Sequence, residues 1–253
     1  MKLLLTSAGI SNASIHNALV DLLGKPIAEA NALFVPTGVY PFRGGQYYAW
    51  NPIGGEAAPR MCQLGWKSVG ILELSVLPSI DRDIWLPTLA EADALLVWGG
   101  DPLFISYWMQ ESGLTDLLPS LPGKLVYVGV SAGSIAVASL FAESYSADRS
   151  CAGSPLTSEE IVFSMANGEV CATLVTANGM GLTKFAVIPH IQNKDHFAGS
   201  LTNTEKWASK LPIPVYAIDD ETAIKVKDGS VEVISEGQWK LFTPERERSI
   251  GAD

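Results

Sequence analysis

The chain has 253 residues, 47% of them apolar and 17% charged, which suits one large α/β core over 1–253 and is short for two independent ones. Seventeen basic residues face 27 acidic ones, a formal net charge of −10, so there is no basic stripe for a phosphate backbone or an anionic membrane surface. Three cysteines (Cys62, Cys151, Cys171) without C-x-x-C spacing and only three histidines support zinc poorly; the expectation is buried free thiols in a cytoplasmic protein.

The opening "MKLLLTSAGIS" is too short for a signal peptide or membrane span and reads as a first buried strand. Residues 32–38, 68–75, 94–100 and 124–131 are further short apolar runs, apolar on both faces as a central parallel sheet requires. Between them, 15–25, 82–92 and 106–121 carry helical amphipathicity. The alternation predicts an α/β fold: a doubly wound, mostly parallel sheet flanked by helices, with ligands at the carboxyl ends of the strands. Residues 159–175 and 215–242 alternate apolar and polar around turns, and "KDG" at 227–229 predicts a hairpin. These strands are expected to extend the sheet or form a small antiparallel layer toward the C-terminus. Residues 40–60, rich in Gly, Pro and aromatics, show no clear period and are read as a loop lining the site.

Gly129-Val130-Ser131-Ala132-Gly133 fits G-x-S-x-G between a strand and small helix-forming residues. A nucleophile at such a sharp turn needs flanking residues without bulk, so that strand and helix pack closely and the hydroxyl stands at the top of the sheet. An ordinary helix-capping serine would occupy the same position. Gly99-Gly100 closes the preceding strand; its unobstructed N–H groups could serve a developing oxyanion, or the pair could simply turn the chain. For a base, His190 ends an apolar strand after Pro189, whereas His16 falls in the first helix and His196 lies in polar surroundings. Asp148, after the nucleophile's helix, is the expected orienting carboxylate, with Glu143 its near rival. Asp219-Asp220-Glu221 could also supply one, although a turn between edge strands is an equally good home for three acids.

Together, "LLLTSAG", "ALFVPTG", "ALLVWGGDPLFI", "GVSAGS", "FAVIPH" and "YAIDDETAIKVKDGSVEVISEG" resemble the peptidase E family, the alpha-aspartyl dipeptidase and cyanophycinase relatives. The resemblance implies a scaffold similar to class I glutamine amidotransferases (flavodoxin-like). It also implies Ser131 as nucleophile, His190 as base, and Gly100 and Ala132 as oxyanion donors; Asp148 is the positional match for the family's acid. Amidotransferases carry cysteine at the elbow, so serine argues against glutaminase chemistry.

This chain departs from the dipeptidase in having Asp101-Pro102 after the glycine loop. It also lacks any arginine between Arg149 and Arg246, leaving Arg149, Arg43 and Lys194 as candidates to hold a substrate carboxylate. The expected activity is a serine peptidase acting on dipeptides or short peptides without a metal or organic cofactor. An esterase or amidase using the same groups, or a silent metabolite-binding protein, are the alternatives; monomer and homodimer both fit the composition.

Overall fold

The computed structural model describes residues 1–55, 61–121, 123–146, 151–165, 168–194 and 196–244. Its strands are β1 (Lys2–Thr6), β2 (Asn31–Val35), β3 (Ser68–Ile71), β4 (Ala94–Val97), β5 (Val126–Val130), β6 (Leu140–Tyr145), β7 (Thr157–Met165), β8 (Gly168–Asn178), β9 (Ala186–Ile188), β10 (Val215–Ile218), β11 (Thr222–Lys227), β12 (Ser230–Ser235) and β13 (Trp239–Phe242). The α-helices are α1 (Ala13–Leu23), α2 (Gly45–Gly54), α3 (Arg82–Glu91), α4 (Pro102–Glu111), α5 (Leu114–Leu117), α6 (Ala132–Ile135) and α7 (Leu201–Ala208).

The central sheet runs β12-β11-β1-β5-β4-β2-β3. Its five strands from β1 to β3 are parallel, while β11 and β12 add an antiparallel edge. Alternate side chains sort to opposite faces. Leu3, Leu5, Val35, Val97 and Tyr127 join one core cluster, while Leu4, Phe34, Leu96, Val128 and Val130 join another beneath α1. Both faces of β1, β2, β4 and β5 are therefore sealed, which is why these strands read as unbroken apolar runs, whereas β3, at the sheet edge, leaves Val69 and Ile71 exposed. Two three-stranded sheets complete the fold: β13-β10-β9, and the antiparallel β6-β8-β7. A third cluster, with Phe141, Phe163 and the fully buried Trp207, lies between them and α7.

The stretches expected to extend the sheet or form a small antiparallel layer divide between the two: β11 and β12 extend the sheet, and β7 and β8 form a separate layer together with β6, which the sequence pattern did not indicate. Residues 40–60 differ from expectation. Rather than a loop throughout, residues 45–54 form α2, which begins after Gly44 in the left-handed region (φ 85°) and ends at Gly55 (φ 81°). The helix escapes the sequence pattern because Tyr47, Tyr48 and Trp50 are exposed and leave no apolar stripe. Residues 56–60 lie outside the described ones. None of the three cysteines is fully buried as expected: Cys62 and Cys151 are partly buried and Cys171 is exposed. Among the described residues, no helix is long and apolar enough to cross a membrane, and no group of three metal-ligating side chains forms.

Candidate active site

Three neighbouring strands end at one edge of the sheet. The parallel register sets Thr6 beside Val130 and Val97 beside Gly129, so Ser7, Ser131 and the Gly99-Gly100 loop follow β1, β5 and β4 side by side. Ser131 has φ 50° and ψ −113°, a conformation costly for any residue with a Cβ. Backbone hydrogen bonds hold it there. Ser131 N–H donates to Thr6 O at 3.0 Å, and Ser134 Oγ donates to the same carbonyl at 2.7 Å. The second serine of the S-A-G-S run is thus a strut under the elbow.

The flanking glycines are required by close approach. A Cβ on Gly129 would lie 2.7 Å from Gly133 O, and one on Gly133 would collide with Val97 O. Tyr127, fully buried, donates its hydroxyl to Gly133 O at 2.7 Å and braces the same turn. Tyr127→Phe should cost about 1–2 kcal/mol by stranding that carbonyl, seen as a lower denaturation midpoint at unchanged m-value.

The Ser131 side chain does not cap its helix. Its Oγ instead lies 2.9 Å from His190 Nε2. His190 follows β9 at φ 61°, and its Nδ1 lies 2.7 Å from Asp220 Oδ1. Asp220 arrives there because β10 runs parallel to β9, with Ile188 opposite Ala217, so both chains leave their strands at the same edge. The carboxylate against His190 is therefore Asp220, held below the ordinary carboxylate range chiefly by its hydrogen bond to His190. Glu143 is not in this line, and Asp148 lies outside the described residues, as does Arg149.

The acids flanking Asp220 do other work: Asp219 Oδ1 accepts from Thr222 Oγ1 and Glu221 N, and Glu221 Oε2 accepts from Asn12 Nδ2. Sequence reasoning also missed Ser7. Buried at the end of β1, it donates to Asp220 Oδ1 at 2.6 Å and accepts from His190 N–H at 2.9 Å, tying the histidine and the carboxylate to the sheet. Its position at a parallel strand's carboxyl end was the available signal.

Gly99 sits against the elbow: a Cβ there would lie 3.5 Å from Ser131 Cβ and 4.0 Å from its Oγ. Gly100 is at φ 122°, where a side chain would strike Gly38 O. Asp101-Pro102, the departure from the dipeptidase pattern, is a helix start. Asp101 Oδ1 accepts from Phe104 N at 3.0 Å, and proline occupies the first turn of α4.

A cavity of about 440 Å³ opens beside Ser131, lined among others by Gly100, Asp101, Phe42, Glu143, Tyr145, Cys151 and His196. Ala132 is buried behind the elbow. Arg43 and Lys194 are not among its lining residues; Lys194 lines a smaller cavity on the other side of His196. The His196 ring, 5.1 Å from that of His190, is pushed down to about 4 mainly by burial, so it stays neutral.

Glu143, partly open to the cavity but enclosed by protein, is pushed up to about 8, first by burial and then by Asp101. A raised folded-state value means that the folded chain holds a proton the unfolded chain has lost, so stability falls as pH rises from the ordinary glutamate range to about 8. Glu143→Gln should therefore raise the melting temperature at pH 8.5, with the gain shrinking toward pH 4.

With this geometry established, comparison with known proteins assigns the chain. The model of peptidase family S51 matches residues 3–234. The chain belongs to peptidase family S51. Among solved structures, a candidate peptidase E protein from Listeria monocytogenes EGD-e matches with TM-score 0.58 at 15% identity, covering 93% of this chain and 98% of that one. A peptidase from an acI-B1 actinobacterium matches with TM-score 0.54 at 16% identity, covering 96% and 94%. At those identities the likeness is one of fold. A comparison with curated proteins returned no match.

Proposed function

We propose that this S51 member is a serine peptidase that hydrolyses dipeptides or other short peptides through Ser131, His190 and Asp220. The observation that carries the reading is the unbroken line Asp220–His190–Ser131, with contacts of 2.7 and 2.9 Å, ending on a strained serine at the mouth of a cavity. Its chemistry follows from the groups in it. His190, with Nδ1–H directed at Asp220, presents an unprotonated Nε2 to the serine hydroxyl and takes its proton as Oγ attacks the scissile carbonyl. The N–H groups of Gly100 and Ala132 are the donors for the oxyanion, placed by the glycine loop and by the first residue of α6. The imidazolium then protonates the leaving amine, and water releases the acyl group by the same route in reverse.

The test is a dipeptide library together with a fluorophosphonate probe. Cleavage of peptides, with the probe attached to Ser131 by mass spectrometry, is the expected result. Labelling accompanied by cleavage of aryl esters alone would replace the reading with an esterase. Failure to label would leave a binding protein.

A further inference from the structure

His196 walls the cavity beside Ser131, yet the proposed mechanism gives it no part, and the backbone fixes where its proton sits. Its Nδ1 accepts the N–H of Ala198 at 3.2 Å, within the short helical turn Phe197–Gly199. That turn is itself pinned from α7: Asn203, fully buried, donates Nδ2 to Phe197 O at 2.9 Å, and Thr204 Oγ1 donates to Ala198 O at 3.0 Å. An imidazole whose Nδ1 lone pair is taken by an N–H carries its proton on Nε2 while it is neutral, and burial keeps this one neutral. The ring plane is held as well. It stacks on the fully buried Trp207, 19° between planes and 6.3 Å between centroids, and Trp207 packs in turn on Phe163. His196 is thus a rigid Nε2–H donor. Nε2 has no acceptor among the described residues, and it is not sealed off as the unpartnered indole N–H of Trp207 behind it is.

We infer that His196 holds the leaving half of the substrate, donating from Nε2–H to the carboxyl or carbonyl oxygen of the leaving residue. The words leaving half rest on the peptidase reading; the fixed donor rests on the structure alone. Which half lies there follows from His190. Its imidazolium hands a proton to the leaving amine, so the leaving residue comes off beside that ring. The His196 ring is 5.1 Å from it and faces the same cavity as Ser131. The carboxyl or carbonyl carbon, two bonds beyond the leaving nitrogen, therefore comes up against His196. In a dipeptide the acceptor is a free carboxylate and in a longer peptide a backbone carbonyl; the donor is the same for both.

The experiment uses the full chain as Ser131→Ala, so that ligands bind without being consumed. For each of the first residues Ala, Asp, Lys and Phe, written X, it is titrated calorimetrically at pH 7.0 with X-Ala, X-alaninamide and the X isopropylamide. In the isopropylamide a methyl group replaces the carboxyl of the leaving alanine. In at least one series X-Ala or X-alaninamide should bind about tenfold or more tighter than the isopropylamide. Which of the two does so separates a free carboxylate from an internal carbonyl. In Ser131→Ala/His196→Phe, where phenylalanine keeps a ring on Trp207 without the donor, that margin should vanish while the isopropylamide binds as before. A long-range proton–nitrogen spectrum of the histidine rings gives a second reading that needs no change at His196. The free protein should show the His196 proton on Nε2, and the tighter ligand, unlike the isopropylamide, should move its resonance downfield.

A His196 proton on Nδ1 in the free protein, isopropylamides that bind as tightly as both other ligands in every series, a margin that survives His196→Phe, or no binding at all would each overturn the inference. If His196→Phe does not fold, the ring spectrum decides alone. Binding does not require turnover, so the two claims fail separately. Hydrolysis by the wild type alongside any of those outcomes would keep the peptidase and remove the His196 contact. The expected pattern in a protein whose wild type neither cleaves peptides nor reacts with the fluorophosphonate would sink the peptidase and leave His196 as the reader of a ligand's acceptor oxygen.

Discussion

Ser131→Ala should lower kcat/KM for dipeptide hydrolysis by about 10⁴-fold or more, which is what loss of the nucleophile costs a serine hydrolase whose other groups remain. The size of the effect is interpretable because the substitution touches little else. The hydroxyl's contact is with His190 Nε2, whereas the turn is held by the Ser131 N–H to Thr6 O and by Ser134 N and Ile135 N donating to Ser131 O. Those backbone bonds survive in alanine, which also has the same Cβ to fit at φ 50°. The variant should therefore keep its melting temperature and its cavity while losing turnover. Steady-state hydrolysis beside a thermal melt checks this, and a folded variant that still cleaves peptides would remove Ser131 from the mechanism.

Much of this site was legible because its elements obey local rules. Parallel strands sealed on both faces announce themselves as apolar runs, and residues at their carboxyl ends are the natural candidates for chemistry. That logic reached Ser131 after β5 and His190 after β9, which the structure brings to 2.9 Å. Asp220 obeys the same rule yet was not chosen. Residues 215–242 read as one continuous meander of edge strands, in which a cluster of acids is an ordinary turn. In fact β10 belongs to one sheet and β11 to another, so the "DDE" turn crosses between sheets. Only the parallel pairing of β10 with β9, between segments 30 residues apart in the case of His190 and Asp220, brings the carboxylate to the imidazole. Pairing of that kind leaves no periodic trace in either segment. Ser7 was hidden for a related reason: its partners lie 183 and 213 residues away.

The hydrogen bonds around Asp220 also set how an amide would behave in its place. Asp220 Oδ1 accepts from both His190 Nδ1 and Ser7 Oγ. In Asp220→Asn, an amide that turned its nitrogen toward His190 would donate to Nδ1. That would force the proton to Nε2 and block the base, a fault that costs about 10⁴-fold where it occurs. Ser7 opposes that turn, because its hydroxyl already accepts from His190 N–H and, with an amide nitrogen where Oδ1 stood, is left only His190 Nδ1, at 3.1 Å, to donate to, the same lone pair that the turned amide would take. The asparagine should therefore keep its carbonyl oxygen where Oδ1 stood, preserving the tautomer and losing only the negative charge that stabilises the imidazolium. Asp220→Asn is expected to cost about 10²-fold, at the low end of what general base catalysis contributes. Removing the hydroxyl as well, in Ser7→Ala/Asp220→Asn, frees the amide to rotate and should carry the loss to about 10⁴-fold. Ser7→Ala alone, which leaves the carboxylate with no nitrogen to present, should cost no more than about tenfold. A double-mutant cycle on kcat/KM reads this directly: the two losses should multiply to far less than the double variant shows. If they multiply to equal it, Ser7 does not govern the orientation of residue 220.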